Sequence, residues 1–324
     1  MREEPEKQPR DQGKNIGRTI DRLRRPRGRR RLSPSRLVFW LAAGLALAAV
    51  VLLVHYALQA SSLRRQLEEL RQIALPATPP ESLTDLENAA AGDDADERAG
   101  DTLAAGPSGL STAPPPAPPT RDFGALRGRN ADIAAWLRYP GIRDIDLPVV
   151  QRDNAFYMTH DYLGRENVSG SVFADQRNSF SPRDGNIVLY GHNMKNGTMF
   201  GKLYRLSENG LLGEEPFFTL ETPESSELYV PYAIALVDDA TDHPRYFPIA
   251  TLNYRSDAEL LTYAGRLRSF SDLQFPVAVE SRDRLLTLVT CHGESDSERL
   301  VVALRALRPG EDAEALREAM RRAF

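Results

Sequence analysis

The run Arg284-Leu285-Leu286-Thr287-Leu288-Val289-Thr290-Cys291 decides how this chain is read. After Arg284 it is wholly apolar or β-branched and too short for an ordinary helix, so it predicts a buried strand ending in the protein's single cysteine. Eight positions beyond Cys291, Arg299 opens a second such run, Leu300-Val301-Val302-Ala303-Leu304. A strand, a short polar loop and a strand therefore bring a thiol and a guanidinium together. A buried cysteine can be a small hydrophobe and an arginine a surface charge, but a thiol beside a cation is also how an activated nucleophile is built.

Working back from that strand, the charge of the chain is strongly polarised. Residues 1–36 carry thirteen Lys/Arg against five Asp/Glu, while the whole chain has a net charge of −4. Leu37 to Leu58 is an almost unbroken apolar run of 22 residues interrupted by His55. At about 1.5 Å per residue it reaches about 33 Å, enough for a hydrocarbon core of about 30 Å and longer than the apolar region of a cleaved signal peptide. The reading is a retained transmembrane helix over 37–58 preceded by a basic cytoplasmic tail, 1–36. The arginines between Arg22 and Arg31 place the N-terminus in the cytoplasm and everything after residue 58 outside the cell membrane. A nucleic-acid-binding arm is the other use of such a cluster; its position against a span favours topology. In an oxidising compartment a single unpaired cysteine calls for an explanation.

Ser61 to Leu75 reads as a short charged helix with Leu63, Leu67, Leu70 and Ile73 on one stripe. From Pro76 to Thr120 the composition turns to Ala, Pro, Gly, Asp, Ser and Thr, so 59–120 reads as an extracytoplasmic stalk, largely disordered. The folded domain is expected over 121–308, with a terminal helix in 309–324. Phe123 to Tyr139 carries an apolar helical pattern stopped by Pro140-Gly141; Ile145 to Val150, Gly170 to Asp175, Asn186 to His192, Leu228 to Val237, Arg284 to Thr290 and Leu300 to Leu307 read as strands. Met199 to Leu206 and Ser256 to Ser269 read as helices. Few connections are regular helical crossovers, so the fold class is mainly β, an antiparallel barrel or sandwich decorated with helices.

An acyl-transfer site needs a nucleophile, a proton carrier and a group that stabilises the oxyanion. Cys291 is the thiol candidate, and Arg299 offers a planar fork of donors that a lysine lacks. Of five histidines, His55 lies in the span, His292 neighbours Cys291 and so faces the opposite way, and His160 and His243 sit in polar loops. His192 remains, at the end of an apolar strand within Tyr190-Gly191-His192-Asn193. Ser and Asp triads stay open, although no Gly-x-Ser-x-Gly elbow is present. No carboxylates cluster at EF-hand spacing, so no metal and no cofactor are expected.

Thr287-Leu288-Val289-Thr290-Cys291 resembles the TLxTC signature of sortases, membrane-anchored cysteine transpeptidases of mainly Gram-positive cell surfaces. Asn186 to Phe200 is similar to the histidine motif of the class B branch, as are Trp136-Leu137, Leu147-Pro148-Val149-Val150-Gln151, Asp153-Asn154 with Tyr157, and Gly170-Ser171-Val172-Phe173-Ala174-Asp175. The resemblance covers roughly 123–308. It implies a sortase-type closed β-barrel with an N-terminal helix, a class B helix at Ser256 to Ser269 in the loop before the cysteine strand, and His192, Cys291 and Arg299 as the catalytic set. It further implies a thiol protease-like hydrolase chemistry. A surface protein bearing a sorting signal would be cleaved after threonine through a thioester, and the acyl group passed to a peptidoglycan precursor or cross-bridge amine, anchoring that protein to the cell wall. The alternatives are a pilus-assembling sortase that joins pilins through lysine, a catalytically idle membrane-tethered binding domain, and a secreted cysteine protease. The segment 292–298 departs from the family in composition, which puts substrate preference in doubt, and the terminal helix has no family role.

Overall fold

The computed structural model describes residues 34–75, 120–208, 210–291 and 297–324. Its strands are β1 (Ile133–Arg138), β2 (Asp146–Val150), β3 (Phe173–Ala174), β4 (Asn186–Tyr190), β5 (Phe218–Glu221), β6 (Ser226–Asp238), β7 (Leu285–Cys291) and β8 (Glu298–Ala306). Its helices are α1 (Pro34–Ile73), α2 (Phe123–Arg129), α3 (Leu211–Glu214), α4 (Asp257–Ser269) and α5 (Ala313–Ala323). The strands close a barrel in the order β1-β2-β3-β4-β7-β8-β6-β5.

The cysteine run lies in the wall of this barrel. β7 pairs in parallel with β4 and antiparallel with β8, and Leu285 through Thr290 are all buried. A strand covered on both faces needs no polar alternation, which is why it reads as a continuous apolar run. Its buried polar atom at mid-strand is satisfied, since the Thr287 hydroxyl donates to Asn186 Oδ1 at 2.9 Å. The barrel departs from the antiparallel expectation at two pairs, β4 with β7 and β2 with β3. Pro148 is accommodated because β2 meets β3 at Val150 alone, leaving little ladder for the missing N–H to break.

Several expected elements are corrected. The helix expected over Phe123 to Tyr139 stops at Arg129, where the Asn130 backbone N–H caps Leu126 O, and the chain then enters β1. Trp136 goes into the sheet because its ring is buried under the Arg121 guanidinium, 4.1 Å from the ring centre, and its Nε1 donates to Asp146 at 2.7 Å. The strand expected over Gly170 to Asp175 shrinks to Phe173–Ala174, and the helix expected over Met199 to Leu206 is a 3-10 turn at Leu203–Ser207. The strand β5 was not expected from the sequence. The class B helix is present as α4: the Ser256 hydroxyl accepts the Glu259 N–H, and Leu260, Tyr263, Ala264 and Leu267 are buried.

Among the described residues α1 is the one helix long and apolar enough to cross a membrane, and the apolar side chains from Val38 to Leu58 are left exposed. The basic tail lies almost wholly outside the described residues. Composition assigned 59–120 to a stalk; the helix read within it over Ser61 to Leu75 is the end of α1, which runs to Ile73 and belongs to the compact unit 56–324. Leu63, Leu67, Leu70 and Ala74 are buried on the unit. Gln66 Nε2 donates to Asp161 Oδ2 at 2.9 Å, and Arg71 reaches both the carboxylate and the carbonyl of Asp146. The chain re-enters where it left, because Asp122 N–H donates to Ala74 O at 3.0 Å. The rest of the stalk assignment, 76–119, lies outside the described residues. The terminal helix α5 also belongs to this unit, burying Leu316 and Met320 and donating from Arg317 to the α3 carbonyl of Glu214 at 3.1 Å.

Candidate active site

Strand pairing brings the three candidate residues to one end of the barrel. Tyr190 lies beside Val289 in the parallel β4–β7 pair, and the Gly191 N–H extends the ladder to Val289 O at 3.1 Å. His192 and Cys291 are each two residues beyond that pair, at the same end of the barrel. The antiparallel β7–β8 pair sets Cys291 opposite Arg299. A cleft of about 240 Å³ opens there, lined by Asn154, Met158, Tyr190, His192, Asp239, Thr290 and Arg299 among others.

His192 is held by a backbone carbonyl. Its Nε2 lies 2.7 Å from Met158 O, and since a carbonyl oxygen only accepts, Nε2 carries a proton and Nδ1 is the nitrogen left to exchange one. The carbonyl is placed by local sequence: Asp153 Oδ1 accepts the N–H groups of Ala155 and Phe156 and so starts the 3-10 turn Phe156–Met158. Gly170, at φ 56°, then lets the chain pass beneath it, since a Cβ there would stand 2.7 Å from Met158 O and 2.6 Å from Tyr157 O. Gly191 is similarly constrained, because a Cβ would meet the Phe200 ring at 2.8 Å.

Arg299 is one-fifth exposed; its Nη2 lies 2.7 Å from Asp239 Oδ2 and its Nη1 donates to Glu298 O at 3.1 Å. Asp238, next to that partner, is held below the usual carboxylate range: burial opposes its charge, but the Ala240 N–H, the Ser297 hydroxyl, His243 and Arg299 together outweigh it. The Tyr190 hydroxyl donates to Asp175 at 3.2 Å, and burial first, then the Asp175 charge, pushes its pKa up, so it stays protonated as a wall of the cleft. Thr290 Oγ1 is buried with no hydrogen-bond partner among the described residues.

His160 and His243 stand apart from the cleft, the first stacked on Phe156 and the second 3.7 Å from Asp238. His292 lies outside the described residues. Asn154, Met158 and Asp239 line the cleft without having been marked as site residues by the sequence. Asn154 Oδ1 accepts the Gln176 N–H at 2.7 Å, a long-range link with no local signature. Among the described residues no group of three or more His, Cys, Asp or Glu is placed to hold a metal ion.

The closed barrel fits the sortase-type cysteine transpeptidase expected from the sequence, and comparisons with known proteins agree. A Sortase domain model matches residues 137–306, and the chain belongs to the sortase family. Its relatives fall in class B. Sortase B of Listeria monocytogenes is 31% identical over 175 residues, covering 54% of this chain and 68% of the relative. Sortase B of Staphylococcus aureus is 24% identical over 189 residues, covering 57% of this chain and 75% of the relative. The X-ray structure of Clostridium perfringens sortase B is 28% identical with a TM-score of 0.52, covering 58% of this chain and all of that one.

Proposed function

We propose that the protein is anchored by 37–58 with its N-terminus in the cytoplasm and its barrel outside. There it cleaves a C-terminal sorting signal of other surface proteins after threonine and transfers the acyl group to a cell-wall amine. In the first step the Cys291 thiolate attacks the threonine carbonyl, Arg299 holds the oxyanion or the bound motif, and His192 protonates the departing amine as the C–N bond breaks. The product is a thioester on Cys291. In the second step an amine of a peptidoglycan precursor or cross-bridge attacks the thioester and gives a proton to His192, and the C–S bond breaks to release the Cys291 thiolate.

The observation that supports this reading is the shared strand end: parallel β4–β7 and antiparallel β7–β8 bring the backbones of His192, Cys291 and Arg299 to one end of the barrel, beside a cleft lined by His192 and Arg299. The Met158 hydrogen bond, which fixes the histidine tautomer, supports the proton-carrier role. The test is the full chain with a fluorogenic library of threonine-containing sorting-signal peptides. Cys291→Ala is expected to abolish cleavage, and mass spectrometry is expected to find the acyl product joined to a peptidoglycan amine. Retained cleavage in Cys291→Ala would sink the assignment, and an isopeptide to a pilin lysine would redirect it to pilus assembly.

A further inference from the structure

Beside the proposed catalytic set stands a carboxylate that the resemblance does not name. Asp239 follows the last residue of β6, and the β6–β8 register pairs Val237 with Arg299 and Asp238 with Glu298. A side chain one residue past that strand end therefore falls beside the Arg299 guanidinium, and Asp239 Oδ2 lies 2.7 Å from Nη2. The turn that carries it is fixed by other bonds: Asp239 N–H donates to Ser297 O at 3.1 Å, the Ser297 hydroxyl to Asp238 Oδ2 at 3.0 Å, and Ala240 N–H to Asp238 Oδ1 at 2.8 Å. Two adjoining clefts, of about 240 and 320 Å³, share Tyr190, Asp239, Val289 and Arg299, so the ion pair stands at their junction.

We infer that Asp239 is a positioning residue, whose carboxylate fixes the orientation of the Arg299 fork where the two clefts meet. The inference rests on Arg299 acting on the substrate as proposed above. An arginine side chain has many rotamers, and an oxyanion is stabilised best by donors already aimed at it. The Glu298 carbonyl holds one arm of the guanidinium and Asp239 the other, which sets its plane before substrate arrives. A role in folding is a poor account of Asp239, because its side chain is 45% exposed and a pair in that setting contributes little to stability.

The test uses the full chain in detergent and the library peptide that the unmodified protein cleaves fastest, with Asp239→Asn, Asp239→Glu, Arg299→Ala and the Asp239→Asn/Arg299→Ala double variant. Asp239→Asn is expected to lower kcat about tenfold with little change in KM or melting temperature, a loss of about 1.4 kcal/mol in transition-state stabilisation. Asp239→Glu is expected to recover most of it, and Asp239→Asn to cost nothing further once Arg299 is alanine. An unchanged or raised kcat in Asp239→Asn, or losses that multiply in the double variant, would overturn the inference. If Arg299→Ala is inactive while Asp239→Asn is fully active, the inference alone fails; if Arg299→Ala keeps full activity, the reading of Arg299 falls and the inference with it.

Discussion

The Ala74 to Asp122 hydrogen bond brings the two flanks of the Pro/Ala-rich segment together, which predicts that shortening the segment leaves the packing of its flanks intact. Replacing the 44 residues between Leu75 and Thr120 by a short Gly/Ser linker tests this. Loop-closure cost grows as (3/2)RT ln n, so shortening the segment to about four residues removes about 2 kcal/mol of cost from docking 59–75 on the barrel. For a unit of this size that is a rise in melting temperature of about 4–8 °C. The assay is differential scanning calorimetry of the full chain in detergent, alongside transpeptidation of a membrane-bound substrate, which should be unchanged. A lower melting temperature, or loss of transfer with cleavage of soluble peptide intact, would refute the reasoning and restore the segment as a spacer.

Leu63→Ala removes a fully buried side chain from the docked helix and should cost about 2–5 kcal/mol, read as faster tryptic cleavage at the exposed Arg64 and Arg65. Gly170→Ala forces a side chain into positive φ and against the Met158 carbonyl, so it should destabilise the protein by about 1–3 kcal/mol and lower peptide cleavage by displacing His192; an active variant with normal melting would contradict the carbonyl's role. Arg305→Met removes the buried guanidinium that bonds Glu311, while Arg308 still pairs with both Asp283 and Glu311, and should cost about 1.5–3 kcal/mol by chemical denaturation. Glu311 is held below its ordinary pKa, with burial opposed and outweighed by its bonds to Arg305, the Arg308 N–H and their charges. Its contribution to stability is therefore present above its unfolded pKa of 4.5 and is lost as pH falls through the lower folded value; denaturation midpoints measured down through that range should drop less in Glu311→Gln.

The strands that make the site were legible because each is local. β4, β7 and β8 are apolar runs, and His192, Cys291 and Arg299 all stand at or next to their ends. β1 was misread because Ala135, Trp136 and Leu137 are consecutively buried, and a strand covered on both faces loses the alternation that separates it from a helix. The stripe Leu63, Leu67, Leu70 was visible, but a stripe says that a face is buried, not against what; its neighbours Arg71 and Gln66 bond Asp146 and Asp161, 75 and 95 residues away. Asp239 was invisible for the same reason, since the β6–β8 register alone brings it to Arg299.

The parallel β4–β7 pair explains why so much chain separates the histidine from the cysteine. Parallel neighbours cannot be joined by a hairpin, so the chain must return to the start of the barrel between Tyr190 and Leu285. That return carries β5, β6 and α4, and it leaves β6 on the far side of β8, with Asp239 beside Arg299. The histidine and cysteine share one end because both strands run the same way, and the arginine faces the cysteine because β8 runs back. Register holds the three together: sliding β8 by one residue against β7 would move Glu298 or Leu300 into the place opposite Cys291 and turn the guanidinium to the other face of the sheet. Because both strands are buried on both faces, burial alone does not resist that slip; the fit of each side chain in the close-packed wall does, as does Arg305, which bonds Glu311 from its place opposite Leu285. The same packing that closes the barrel therefore sets the register of the proposed site.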